Sequence, residues 1–232
     1  MTALIACSHG TRSRAGRATV RDVLEALAGA LPGVLVVQAF VDVERPTVAD
    51  VAARRAAEGP AVVVPLLLST GHHVRGDIGD AVAPHPHVTA ADPLGPDPLL
   101  AEAMLRRLAE LPGGDAGHRD GDHVVLAAAG STDPLAARSV GRMGILLQER
   151  LPVPVTVGYG AGASPSLGEA VSAARAAGAR RVVAASYLLA PGHFARRVAA
   201  SGVDALAAPL GDDPAVITLL AARFREAAGA FV

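Results

Sequence analysis

One cysteine, Cys7, stands among 232 residues. No internal disulfide can form, so the chain suits a reducing compartment and a cytoplasmic location is expected. The same scarcity removes any cysteine cluster of the kind that closes a structural zinc site. No apolar run approaches the roughly 20 residues of a membrane span, so no membrane partner is expected. The first residues carry neither a basic stretch nor a long apolar one, and no signal peptide is expected. Neither a Walker A sequence nor a GxGxxG follows a strand, so a nucleotide cofactor is not indicated. Formal net charge is −1 at pH 7. A general nucleic-acid binder needs a basic face, and this balance argues against one.

What the chain does contain is one pattern written twice. Leu66-Leu67-Leu68-Ser69-Thr70-Gly71-His72-His73-Val74-Arg75 pairs with Tyr187-Leu188-Leu189-Ala190-Pro191-Gly192-His193-Phe194-Ala195-Arg196. Ser8-His9-Gly10 pairs with Ala128-Ala129-Gly130, and Phe40-Val41-Asp42 through Pro46-Thr47-Val48 pairs with Tyr159-Gly160-Ala161 through Pro165-Ser166-Leu167. Pro93-Leu94-Gly95 recurs as Pro209-Leu210-Gly211. In this register His9 faces Ala129, Asp42 faces Ala161 and His73 faces Phe194. Three polar groups of the first half are apolar in the second, which separates site from scaffold. His72 faces His193, so it is read as scaffold or as the rim of a substrate site.

Short apolar runs alternate with segments of helical spacing. Strands are expected at Leu4–Cys7, Val34–Val41, Ala61–Leu68, His87–Ala90, His123–Ala129, Val153–Tyr159, Arg181–Leu188 and Asp204–Ala207. Helices are expected at Thr19–Leu31, Thr47–Ala57, His72–Ala83, Pro98–Leu111, Pro134–Arg150, Ser166–Ala177, His193–Ser201 and Asp213–Ala228. This alternation implies an α/β fold of two similar lobes, each a four-stranded parallel sheet flanked by helices, with a cleft between lobes. The Gly- and Asp-rich stretch 113–122 is expected as a linker between a lobe at 1–112 and a degenerate repeat lobe at 123–232.

In open α/β sheets ligands bind beyond the carboxyl ends of the strands. His9, Asp42 and His73 each follow one of the first three strands, so one rim collects all three. Two imidazoles and a carboxylate suit a borderline divalent metal. With at most three ligands the site is under-filled, which fits transfer of a metal better than its storage. His85 and His87 fit a solvated turn, and His118 and His123 flank the linker without an assigned role. The Ser8-His9-Gly10-Thr11-Arg12 segment also admits a histidine-phosphatase-like reading. That chemistry needs an Arg immediately before the His, where this chain has Ser8.

The segments Ser8-His9-Gly10-Thr11, Ala39-Phe40-Val41-Asp42-Val43-Glu44-Arg45-Pro46 and Pro65 through Ile78 are similar to those of the sirohydrochlorin chelatases. These are class II chelatases of sirohaem and cobalamin synthesis, and their longer members are two fused lobes with one active lobe. The resemblance covers nearly the whole chain. It implies His9 and His73 as the catalytic, metal-handling histidines. Asp42 stands where the family usually has Glu, and Gly79 where it has proline. No cysteine- or histidine-rich tail follows the second lobe. The implied reaction inserts Fe²⁺ or Co²⁺, as substrate, into sirohydrochlorin with release of two pyrrole protons, and needs no permanently bound cofactor. Asp42, Arg12, Arg75 and His72 are the implied substrate contacts, the arginines because they pair with the substrate's carboxylates. A two-lobed monomer would suffice. A tetrapyrrole or metal carrier without turnover is the non-catalytic alternative.

Overall fold

The computed structural model describes residues 2–71 and 74–231, and of Val74 and Arg75 the backbone only. The elements run in order β1 (Ala3–Ser8), α1 (Arg14–Ala30), β2 (Val36–Phe40), α2 (Val48–Ala56), β3 (Ala61–Pro65), a π-helical turn (Val74–Ile78), α3 (Gly79–Val82), β4 (Val88–Ala90) and α4 (Pro98–Ala109). The repeat follows as β5 (Asp122–Ala128), α5 (Pro134–Gln148), β6 (Val155–Tyr159), α6 (Leu167–Ala176), β7 (Arg181–Tyr187), α7 (His193–Ala199), β8 (Ala205–Leu206) and α8 (Pro214–Ala228). Two four-stranded sheets result, ordered β2-β1-β3-β4 and β6-β5-β7-β8, and all of these strand pairs are parallel.

The central strands are buried on both faces, which is why they are apolar without alternation. In the first sheet Ala3, Ile5, Cys7, Ala61 and Val63 pack under Val48, Val51 and Ala52 of α2, with Ile78 and Ala81. The opposite face is covered by α1 and α8, which also pack on each other. In the second sheet Val125, Ala127, Val182 and Ala184 pack under Leu167, Ala170, Val171 and Ala174 of α6. There α4 lies against β7 and α5.

Helix starts follow local chemistry, and they match between halves. Thr47 and Ser166 each close a capping box, with Asp50 and Glu169. Asp97 and Asp213 each cap a helix whose first residue is proline. Helix α1 begins at Arg14, five residues before the expected Thr19, because the Ser13 hydroxyl accepts from the Gly16 N–H and caps it there. The expected helix from His72 to Ala83 is divided. Its described part is a π-helical turn followed by the four-residue α3, and Gly76 and Gly79 explain the weak helicity.

The boundary between compact units also differs from the expectation. One unit is residues 1–94 with 211–232, and the other is 95–210. The stretch 113–122 therefore lies inside the second unit. There the Gly117 N–H donates to Asp122 at 2.9 Å, and Arg180 bonds Asp120. The chain changes unit at the two Pro-Leu-Gly sequences, so each final helix packs on the sheet of the other half's strands.

Candidate functional site

The strand order places a topological switch between β1 and β3. β2 lies on one side of β1, and β3 and β4 on the other. Loops diverge at such a point and leave a crevice at the carboxyl edge. His9 leaves β1 at this edge. The parallel ladder continues beyond the strands: Val41 N–H donates to Ser8 O at 2.9 Å, and Asp42 N–H donates to His9 O at 3.1 Å. These two bonds make His9 and Asp42 neighbours, and both are exposed. On the other side Leu66 N–H donates to Cys7 O at 2.8 Å. The loop after β3 leaves this same edge toward Gly71. His72 and His73 lie outside the described residues, as does the side chain of Arg75. Arg12 is exposed and makes no ion pair among the described residues.

The backbone here is shaped for close approach. Gly10 has φ +88°, and a Cβ on it would stand 2.5 Å from the Asp42 carbonyl oxygen. Val43 has φ 59°, the one positive φ outside glycine among the described residues. Glu44 N–H folds back onto Asp42 O across it, a three-residue turn with a left-handed centre. A β-branched residue there is strained, and such strain gathers at functional sites.

Glu44 ties this turn to the His9 loop. One carboxylate oxygen accepts from Thr11 N–H at 2.8 Å, and the other lies 2.8 Å from Arg17 Nε. Arg17 Nε also donates to Thr11 O at 3.0 Å. Asp42 keeps a carboxylate with no partner among the described residues, so the two acids differ in what they can do.

Cys7, two residues before His9, is buried, and its thiol pKa is pushed up to about 12, by burial first and by Asp77 second. It stays a thiol, and so a poor metal ligand. The Ser8 hydroxyl is buried with no hydrogen-bond partner among the described residues. Among the described residues no three His, Cys, Asp or Glu gather closely enough to hold a metal. Among the described residues His9 and Asp42 are brought together as a pair.

The second half repeats the backbone without the chemistry. Gly160 N–H donates to Ala128 O and Ala161 N–H to Ala129 O, at 2.8 and 2.9 Å. Gly130 also has φ +88°, and a Cβ on it would fall onto the Ala161 carbonyl oxygen. Phe194 sets its ring against Gly160. Gly162, φ +69°, stands in place of Val43. Glu44 and Arg17 are the site residues that reading the sequence for metal ligands overlooks. Their signal was available: in the same register they face Ala163 and Ala137.

The CbiX family sequence pattern matches residues 3–111 and again 123–227. The chain belongs to the CbiX family. It is 25% identical over 198 residues to a sirohydrochlorin ferrochelatase of Priestia megaterium, covering 82% of this chain and 73% of that protein. Among solved structures, SirB from Bacillus subtilis with Fe³⁺ superposes with a TM-score of 0.81 at 24% identity, covering 99% of this chain and 96% of that one. SirB from Bacillus subtilis subspecies spizizenii in complex with cobalt gives 0.76 at 23% identity, with 98% and 95% covered.

Proposed function

We propose that this protein is a sirohydrochlorin chelatase, inserting Fe²⁺ or alternatively Co²⁺ into sirohydrochlorin in sirohaem or cobalamin biosynthesis. It acts as a two-lobed single chain in the cytoplasm, with the chemistry in the first half. The observation that carries this is the asymmetry at equivalent sheet edges: His9 beside Asp42 in one half, Ala129 beside Ala161 in the other. No described helix is long and apolar enough to cross a membrane.

His9 and His73 hold the metal substrate as neutral imidazoles, and one of them accepts a departing pyrrole proton. Asp42, with its carboxylate unengaged, supplies negative charge to the dication or orients an imidazole. A site with so few protein ligands can release its ion to four ring nitrogens. The chain has no lysine, so every side-chain cation besides histidine is arginine. A guanidinium grips a carboxylate through paired donors, and Arg12, exposed and three residues after His9 in the chain, is the proposed grip. Arg75 and His72 complete the proposed substrate contacts.

The test is anaerobic metallation followed by absorbance. Many equivalents of product per chain are expected, lost in both His9→Ala and His73→Ala. One equivalent or less would make the protein a carrier. Hydrolysis of a phosphomonoester with His9 phosphorylated, unaffected by His73→Ala, would support the phosphatase alternative instead.

A further inference from the structure

We propose that Glu44, held by Arg17, is a positioning residue that fixes the His9 loop against the turn carrying Asp42. Both Glu44 oxygens are engaged, by Thr11 N–H and by Arg17, each at 2.8 Å. Arg17 in turn holds Thr11 O. The carboxylate therefore joins the segment two residues after His9 to the segment two residues after Asp42. Its charge is already matched by Arg17, so Glu44 is not the acid that meets the metal; Asp42 is.

The second half shows what the clamp is for. Its corresponding turn keeps the fold's own bonds: Ser131 Oγ accepts from Asp133 N–H at 3.1 Å, as Thr11 Oγ1 accepts from Ser13 N–H at 3.1 Å. The ladder bonds beyond the strands are kept as well. The two clamp residues, Glu44 and Arg17, are replaced by Ala163 and Ala137. The backbone thus forms without the clamp. What differs is the left-handed residue, Gly162 there and Val43 here. A strained conformation persists when its surroundings over-determine it, and the Glu44 bridge does this on the half that carries His9 and Asp42.

This inference rests on the chelatase reading for its effect on turnover, and has a separate readout in metal binding. The full-length protein and its Glu44→Ala, Glu44→Gln and Arg17→Ala variants are titrated with Co²⁺ alone. Turnover is then measured against Co²⁺ and against sirohydrochlorin, and thermal unfolding is recorded. Glu44→Ala is expected to weaken Co²⁺ binding and raise the metal KM about 10-fold, with the sirohydrochlorin KM changed less than about twofold. Glu44→Gln keeps an acceptor for Thr11 N–H and is expected to recover most of the loss. Arg17→Ala is expected to fall between the two. Unchanged Co²⁺ affinity in Glu44→Ala would overturn the proposal. So would a loss shared equally by both substrates, tracking a lowered unfolding temperature and not rescued by Gln. If the wild-type chain binds Co²⁺ but never metallates sirohydrochlorin, the chelatase reading fails while the titration still decides the clamp. If it binds no Co²⁺, both fail.

Discussion

At the scale of single residues, the site is a set of backbone decisions before it is a set of ligands. Gly10 and Gly130 share φ +88°, and each would drive a Cβ against the carbonyl of the opposing loop. Replacing either with alanine is expected to cost about 1–3 kcal/mol of stability, measured by urea unfolding. Only Gly10→Ala is expected to weaken Co²⁺ binding as well; equal loss of binding in both variants would contradict the assignment to one half. Val43 makes the converse case. The second half has glycine at this place, so Val43→Gly trades strain of about 1–2 kcal/mol against glycine's entropy of about 0.5–1 kcal/mol. Its urea midpoint is expected to hold or rise, and a clear drop would show that the turn is not strained. His9, Asp42 and His73 stand out in the sequence because their partners in the repeat are apolar, and of the three the described residues bring His9 and Asp42 side by side. Glu44 and Arg17 carry the same repeat signal, facing Ala163 and Ala137, but a search for metal ligands passes over them, because a clamp is a matter of distances across two loops.

At the scale of elements, alternation and capping made the eight strands and most helices legible. The errors fall where periodicity is silent. α1 starts early because its first turn is polar and its beginning is set by the Ser13 cap. The segment after His73 is a π-helical turn, a form that occurs in short pieces and often at functional sites. Helix α8 shows how much one cap can carry. Asp213 is buried and accepts from Ala215 N–H at 2.9 Å, and the helix behind it buries Val216, Leu219, Leu220 and Phe224. Asp213→Ala is expected to cost about 1–2 kcal/mol, seen as a lower urea midpoint. Strand β5 holds a titrating group of its own. His123 is buried, with Nε2 3.2 Å from Thr156 Oγ1, and burial lowers its pKa from 6.5. The unfolded chain therefore takes up the proton more readily. Stability from this residue is complete above the unfolded pKa and lost as pH falls through it toward the folded value. His123→Leu is expected to flatten the urea midpoint between about pH 7 and pH 5; an unchanged slope would contradict it.

At the scale of the whole molecule, the duplication was legible, and the family pattern repeats over 3–111 and 123–227, while the compact units are drawn differently. A polar, glycine-rich stretch looks like a linker, and 113–122 has that composition. Burial of Ala116 and Gly117 and the bond to Asp122 place it inside a unit instead. The true crossings, at Pro93-Leu94-Gly95 and Pro209-Leu210-Gly211, were visible only as a repeated tripeptide. Residues 1–112 alone would leave uncovered the sheet face that α8 covers, and are expected to lack a cooperative unfolding transition by circular dichroism. Residues 1–94 joined by a flexible linker to 211–232 restore that cover and are expected to unfold cooperatively. The reverse result would contradict the exchange of final helices. The same partition keeps the site's strands and α8 in one unit.

The most direct measurement of that asymmetry is multiple-turnover metallation of sirohydrochlorin under anaerobic conditions, comparing wild type with His9→Ala and with Phe194→Ala. The account expects sustained turnover in wild type and in Phe194→Ala, and no rate above the spontaneous one in His9→Ala. Turnover that survives His9→Ala, or that is lost only in Phe194→Ala, would contradict the assignment of the chemistry to the first half.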